Sequence, residues 1–259
     1  MKWAAPLAIV AALIGGWELF ARLGHVEDYL LPAPSEIAQS LFEDRHLLLS
    51  DAWVTGREVL LGFGLAIAAG LLIAVLLHLS PVLRRAFYPL VVASQAVPIV
   101  VIAPILVIWF GFGITPKLIV IALICFFPVV VNTLDGLRSV DQDQVKLFRT
   151  LDASRWDVFR RLELPSALPF LFSGAKVAVA VSVIGAVFGE LVGSDAGLGH
   201  AIQVGTAELL TARVFAAVLI LSAMAIALFG LVAAAERLAL PWLHGGSRIP
   251  WASKQRRPR

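Results

Sequence analysis

Arg149, Arg155, Arg160 and Arg161 crowd into a charged segment, residues 147–169, that separates two long apolar runs. Guanidinium groups at this density recognise anions, either carboxylates on a partner surface or phosphates of lipid headgroups. The apolar residues of the same region are spaced for short helices. Val145, Phe148 and Leu151 make one stripe, and Trp156, Phe159 and Leu162 make another. Between them Ser154 and Asp157 match a capping box, with the hydroxyl opening a helix and the carboxylate reaching back three residues. The region reads as a helix, a turn at Asp152-Ala153, a second helix and a stop near Pro165. Asp157 can also pair with Arg160 or Arg161 on the helix surface. Such a basic, aromatic-bearing helix pair docks on a protein or lies on anionic lipid, and physical chemistry alone leaves both readings open.

Residue sets for covalent or phosphoryl chemistry are missing from the sequence. It has no G-x-x-x-x-G-K-[ST] phosphate loop, no H-E-x-x-H and no Cys/His cluster. The nearest glycine-rich stretch, residues 193–200, lacks the lysine, and His200 within it reads as a solvated loop histidine. An ATP-driven process would need another polypeptide for hydrolysis, so no catalytic role, cofactor or metal is expected on this chain. The remaining polar candidates lie within apolar runs. Ser94 and Gln95 precede Pro98, Ser182 lies mid-run, and Lys176 and Glu190 are ionisable. Ionisable groups at membrane depth are functional candidates by default. Ser94, Gln95, Ser182 and Glu190 are therefore candidates for lining or gating a pathway, with hydrogen bonding between helices as the alternative. Lys176 and Glu190 are separated by about 21 Å of helix, too far to pair, and Lys176 can snorkel to the surface.

The elements that carry these residues must be membrane helices. The chain is 59% hydrophobic and 15% charged with mean hydropathy +0.89, against about 25% charge in an average soluble domain. Six apolar runs approach the roughly 20 residues that cross a bilayer. They cover residues 3–23, 59–79, 87–110, 118–134, 168–192 and 214–238. None alternates in hydrophobicity as barrel strands do, so the fold class is an all-α polytopic bundle. If the spans alternate, Lys2, Arg84, Arg85, the six basic residues from Arg138 to Arg161 and the tail cluster around Arg256 share one side. The other side receives Arg22, Arg45, Arg57, Lys117 and Arg213. The positive-inside rule puts both termini and the helix pair in the cytoplasm. The net charge of +3 is explained by this bias and does not argue for nucleic acid.

Other features refine the picture. The first run reads as a retained helix rather than a cleaved signal, since no small-x-small site follows it. Cys125, the only cysteine, reads as core packing. In the outer loop, residues 24–56, Ser35 is placed to cap a short surface helix from Glu36 to about Phe42. The third span carries Pro89, Pro98 and Pro104 and should kink. Gly62, Ala66 and Gly70, and likewise Gly174, Ala178, Ser182 and Ala186, form four-residue ladders that let another helix approach closely. The ladders are expected to pack inside a bundle of two copies. Nothing suggests a second domain, so residues 1–259 read as one unit with a basic tail at about 241–259.

Taken together, these motifs resemble the permease subunits of binding-protein-dependent ABC importers. Their cytoplasmic loop carries E-A-A, three residues, G, nine residues, I-x-L-P. Here Leu162 stands for the isoleucine before Leu164-Pro165, Asp152 for the glycine, and Lys146-Leu147-Phe148 for E-A-A. Spacing and the terminal L-P agree; the acidic residue and the glycine do not. The resemblance extends from Leu31-Pro32-Ala33-Pro34 to Leu240-Pro241-Trp242. It includes Trp109-Phe110-Gly111-Phe112-Gly113, Phe127-Pro128 with Asn132-Thr133, and Gly197-Leu198-Gly199. It is similar to the branch importing nitrate, taurine, aliphatic sulfonates and thiamin pyrimidine precursors, with Ser94-Gln95-Ala96-Val97-Pro98 and Leu171-Phe172-Ser173-Gly174 nearest the last.

The resemblance implies a permease of the bacterial inner membrane, in contact with membrane lipid and paired with a second copy as a homodimer. Cytoplasmic ATPase subunits would carry ATP and Mg, and an extracytoplasmic binding protein would deliver the solute. The coupling segment would be residues 144–165, with Phe148, Arg149, Asp152, Ser154, Arg155, Trp156 and Phe159 meeting the ATPase. A self-contained secondary transporter or channel is the rival. It would require ionisable residues near mid-membrane, for which Lys176 and Glu190 are the candidates.

Overall fold

The computed structural model describes residues 4–24, 27 and 29–244, and these form helices joined by short turns. The basic tail beyond residue 244 and Lys2 lie outside the described residues. In chain order the helices are α1 (Ala4–Leu23), α2 (Pro34–Glu43), α3 (Arg45–Leu79), α4 (Pro81–Ala93), α5 (Ile99–Phe110) and α6 (Ile114–Arg138). They continue with α7 (Gln142–Thr150), α8 (Arg155–Val158), α9 (Leu164–Gly193), α10 (Leu198–Ala207), α11 (Thr211–Ala239) and α12 (Pro241–His244). Among the described residues five helical stretches are long and apolar enough to cross a membrane, six if the bent pair α4–α5 is one span. The fold is an all-α polytopic membrane bundle, with the short helices α7 and α8 between its fourth and fifth spans.

The core forms where α6 runs between α3 and α9. Val59, Ala66, Ile121, Cys125, Val129, Ala178, Val183 and Ala186 are buried together there. The small-residue ladders make this close approach possible. A Cβ on Gly70 would sit 2.6 Å from Val129 Cγ1, and one on Gly174 would sit 2.6 Å from the Pro128 carbonyl oxygen. Both ladders thus serve close packing, as expected, and the helix they admit is α6 of the same chain. Small side chains mark where a helix comes close, but a sequence does not say whose helix it is.

The third span departs from a kinked helix. Helix α4 ends at Ala93, Ser94–Ala96 tighten into a 3₁₀ turn, and α5 leaves at 100° to it. Pro98 causes the break: it disfavours helical geometry in the residue before it, and Val97 is extended (φ −84°, ψ 119°). Pro89 and Pro104 are absorbed within α4 and α5.

Three further boundaries move. Helix α3 begins at Arg45 rather than near Val59 and is about 52 Å long, more than a bilayer core needs. Its extra turns carry two buried carboxylates, Glu58, which meets Lys117 of α6, and Asp51, which accepts from the Gly197 N–H. Ala33, not Ser35, occupies the N-cap of α2, with Pro34 in the first turn and Glu36 accepting from the Ala33 N–H at 3.0 Å. Ser35 instead anchors α1: its N–H and hydroxyl donate to Glu18 at 3.0 and 2.8 Å. Finally, the chain does not stop at Pro165. Residues Phe159–Glu163 form a π turn, the Leu164 N–H bonds back five residues to the Phe159 carbonyl, and α9 follows directly. The wider turn lets the helix pass a proline that has no N–H to give.

Candidate functional site

Helices α7 and α8 form the pair that the spacing predicts. Asp141 caps α7 by accepting from the Asp143 N–H at 2.9 Å. The reversal follows at Asp152, whose φ of 55° is left-handed, and the Ala153 N–H closes on the Phe148 carbonyl at 3.1 Å. Ser154 and Asp157 then make the capping box: the Asp157 N–H donates to Ser154 Oγ at 3.1 Å, and the Ser154 N–H donates to Asp157 at 3.3 Å. Val140, Val145 and Val158 close the interior of the pair, helped by Phe148, Ala153 and Leu162.

The outward face is amphipathic. Leu151 is 73% exposed and Trp156 61% exposed, beside exposed Arg149, Arg155 and Asp152. Phe159 faces the other way. It is buried among Leu137 and Ala167, and its ring supports Trp156 at 5.4 Å between centroids. The pair is tied to the bundle by His78 at the end of α3, which meets Glu163 at 2.8 Å. A groove of about 770 Å³ remains between the pair and the α3–α4 junction, lined by His78, Gln142, Arg149, Asp152 and Arg155 among others.

At the opposite end of the bundle lies a buried polar network. Asp51, Thr55 and Glu58 share one face of α3, and all three are buried. Lys117 of α6, also buried, donates to Glu58 Oε1 at 2.7 Å and to Ser194 Oγ at 2.6 Å. Glu190, fully buried on α9, accepts from Thr55 Oγ1 at 2.7 Å. The turn before α10 supplies three backbone donors. The Gly197, Leu198 and Gly199 N–H groups donate to Asp51 Oδ1, Thr55 Oγ1 and Glu190 Oε2 at 2.9, 2.9 and 2.6 Å. These are the N–H groups a helix start leaves without partners, and the carboxylates meet the positive end of the helix. Gly197, with φ +112°, must be glycine twice over, because a Cβ would collide with the Glu190 carboxylate. The network fastens α3, α6, α9 and α10 to one another.

The sequence-derived candidates are distributed rather than gathered. Phe148, Arg149, Asp152, Ser154, Arg155, Trp156 and Phe159 all belong to the helix pair and its support. Ser94 and Gln95 lie exposed at the break between α4 and α5, and the Ser94 hydroxyl donates to the Val91 carbonyl at 2.7 Å. Ser182 is buried on α9, its hydroxyl on the Val179 carbonyl at 2.7 Å. Glu190 belongs to the buried network. Lys176 meets Glu236 of α11 at 2.7 Å, a pairing across helices that the sequence reading did not contain. Asp51, Thr55, Glu58 and Lys117 were missed. Their signal was the four- and three-residue spacing from Asp51 to Glu58; Lys117 reads in sequence as a charge marking the end of a span. Among the described residues no group of three or more His, Cys, Asp or Glu is placed to hold a metal ion.

Comparison with known proteins bears on this architecture. Residues 66–239 match the family described as binding-protein-dependent transport system inner membrane component. A probable ABC transporter permease protein of Haemophilus influenzae is 39% identical, over 86% of this chain and 91% of that one. The formylaminopyrimidine transport permease protein ThiX of Halalkalibacterium halodurans is 37% identical, over 92% of this chain and 95% of its own. Among solved structures, a chain of the inward-facing MetNI methionine ABC transporter superposes with a TM-score of 0.61 at 19% identity, covering 74% of this chain and 97% of that one. That similarity concerns the fold. With the family match spanning most of the helical bundle, this chain belongs to the inner membrane permease components of binding-protein-dependent ABC importers.

Proposed function

We propose that this permease forms one half of a solute pathway, pairs with an identical copy, and is driven by a separate ATPase that grips the α7–α8 helix pair from the cytoplasm. Both termini lie on that side, as the basic residues flanking the spans argue. A binding protein delivers the solute at the opposite end, near the buried network. Residues 1–259 act as a single unit with a basic cytoplasmic tail, in contact with membrane lipid.

The observation that carries this reading is the exposed face of the helix pair. Leu151 and Trp156 leave large apolar surface exposed at a capped corner, ringed by Arg149, Arg155 and Asp152. Exposed apolar surface with a charged rim is the pattern of a docking site. Phe159 holds Trp156 from beneath, and the π turn joins the pair directly to α9, so a push on one reaches the span without an intervening loop. ATP and Mg would act on the partner alone. The ion-gradient reading gains no support from its two candidates, since Lys176 is paired with Glu236 and Glu190 accepts hydrogen bonds from Thr55 and the Gly199 N–H.

For the solute, the similarity to ThiX favours a thiamin pyrimidine precursor, followed by sulfonate or taurine and then nitrate. The test is uptake into proteoliposomes containing this chain, its co-purifying ATPase and a binding protein. Labelled hydroxymethylpyrimidine would be offered with taurine and nitrate as competitors. ATP-dependent uptake blocked only by pyrimidine analogues is expected. Trp156→Asp should abolish that uptake while the permease still inserts and folds. Full uptake by this variant, or uptake without ATP, would remove the docking assignment.

A further inference from the structure

Arg84 and Arg85 in the first turns of α4 and Arg138 at the end of α6 converge on one cleft. Its volume is about 250 Å³, and Tyr88 and Pro89 complete its lining. No carboxylate lines it. None of the three guanidinium groups makes a hydrogen bond or ion pair among the described residues, and Arg84 is half-buried. Other charges at this end of the bundle include matched pairs, His78 with Glu163, Lys146 with Asp143 and Arg161 with Asp157, while Arg84, Arg85 and Arg138 share one cleft without such a partner. The three arginines also line up unequally with a second cleft of about 240 Å³, where Arg84 and Arg138 meet His78, Gln142 and Glu163. The single carboxylate there is already engaged by His78 at 2.8 Å. Three like charges brought together without a counter-charge repel one another, so an anion bound between them lowers the energy of the site.

Depth decides which anion. The uncharged apolar run of the third span starts at Ala86, directly after Arg85, and the apolar run of α6 ends one turn before Arg138. The cleft therefore sits at the rim of the hydrocarbon, level with lipid headgroups. Arginine grips a phosphate with paired N–H donors. Tyr88 presents an apolar ring with a polar tip, a form suited to that layer.

We infer that Arg84, Arg85, Arg138 and Tyr88 form a binding site for the phosphate headgroup of an anionic phospholipid. The site is separate from the α7–α8 docking face and does not depend on the transport reading. A basic residue near a membrane surface strengthens anionic lipid binding about fivefold, so three together contribute on the order of 100-fold.

The purified full chain would be titrated in detergent with dihexanoyl phosphatidylglycerol, dihexanoyl phosphatidylcholine and glycerol 1-phosphate, following the thermal unfolding midpoint. Saturable stabilisation by phosphatidylglycerol is expected, with far weaker effects from the other two. R84Q/R85Q/R138Q should weaken the phosphatidylglycerol midpoint on the order of 100-fold, and the all-lysine triple variant should fall between. R160Q/R161Q, which removes two nearby exposed charges, should leave it unchanged. Wild-type binding by the glutamine triple variant would overturn the site. An equal loss in R160Q/R161Q would reduce it to general charge attraction. Glycerol 1-phosphate binding as tightly as the lipid would overturn the lipid assignment.

Discussion

Lys117→Met isolates what the buried network contributes. In the native chain the Lys117 ammonium lies 2.7 Å from Glu58 and 2.6 Å from Ser194, and both charged residues are buried, 5% and 3% exposed. Glu58 Oε2 has no hydrogen-bond partner among the described residues, so Lys117 is the main compensation for that carboxylate. Taking one partner from a buried pair leaves an uncompensated charge and costs about 3–5 kcal/mol. For a chain of this size each kcal/mol moves the unfolding midpoint by about 2–4 °C, so the variant should melt roughly 10 °C lower. Replacing both partners is far cheaper, because no buried charge is left alone. The double variant Glu58→Leu, Lys117→Met should therefore recover most of the loss. The assay is thermal unfolding in nanodiscs followed by tryptophan fluorescence, on wild type, both single variants and the double. A midpoint for Lys117→Met within 2 °C of wild type would refute the reasoning, as would strict additivity of the two single changes.

Two other predictions concern packing and charge away from this pair. Gly174→Ala should destabilise the chain by about 1–3 kcal/mol, because its Cβ would press on the Pro128 carbonyl and Asn132 where α9 crosses α6; Gly64→Ala, which meets nothing within 4 Å, is the control in the same unfolding assay. Hydrogen bonds from the Arg213 guanidinium hold the Asp44 carboxyl below the usual carboxylate range. A lowered folded-state pKa contributes stability that is complete above the unfolded value of about 3.9 and is lost as pH falls through the folded value. Arg213→Gln should thus flatten the fall in stability below pH 4, and an unchanged acid-side slope in unfolding scans would count against the pairing.

Much of the local architecture was legible because short-range rules govern it. Hydropathy runs set the spans, since backbone groups in lipid must be satisfied within a helix. The capping box at Ser154 and Asp157 and the reversal at Asp152 need only residues a few positions apart, and both form as the spacing requires. Proline marked the third span, yet only Pro98 broke it. Pro89 and Pro104 sit inside helices whose surroundings tolerate a missing donor, which composition does not reveal.

By itself, then, the sequence determined the class of fold, the place of the helix pair and the family to which the motifs point. Those follow from hydrophobic length, charge sidedness and cap chemistry, all written along one stretch of chain. The tertiary structure decided which distant residues meet. Lys117 and Glu58 are 59 positions apart, Thr55 and Glu190 are 135 apart, and Lys176 finds Glu236 across 60. A charge near the end of a span looks solvated until its partner is known, because the free energy of a buried ion depends on what lies within a few ångströms of it, not on its neighbours in sequence.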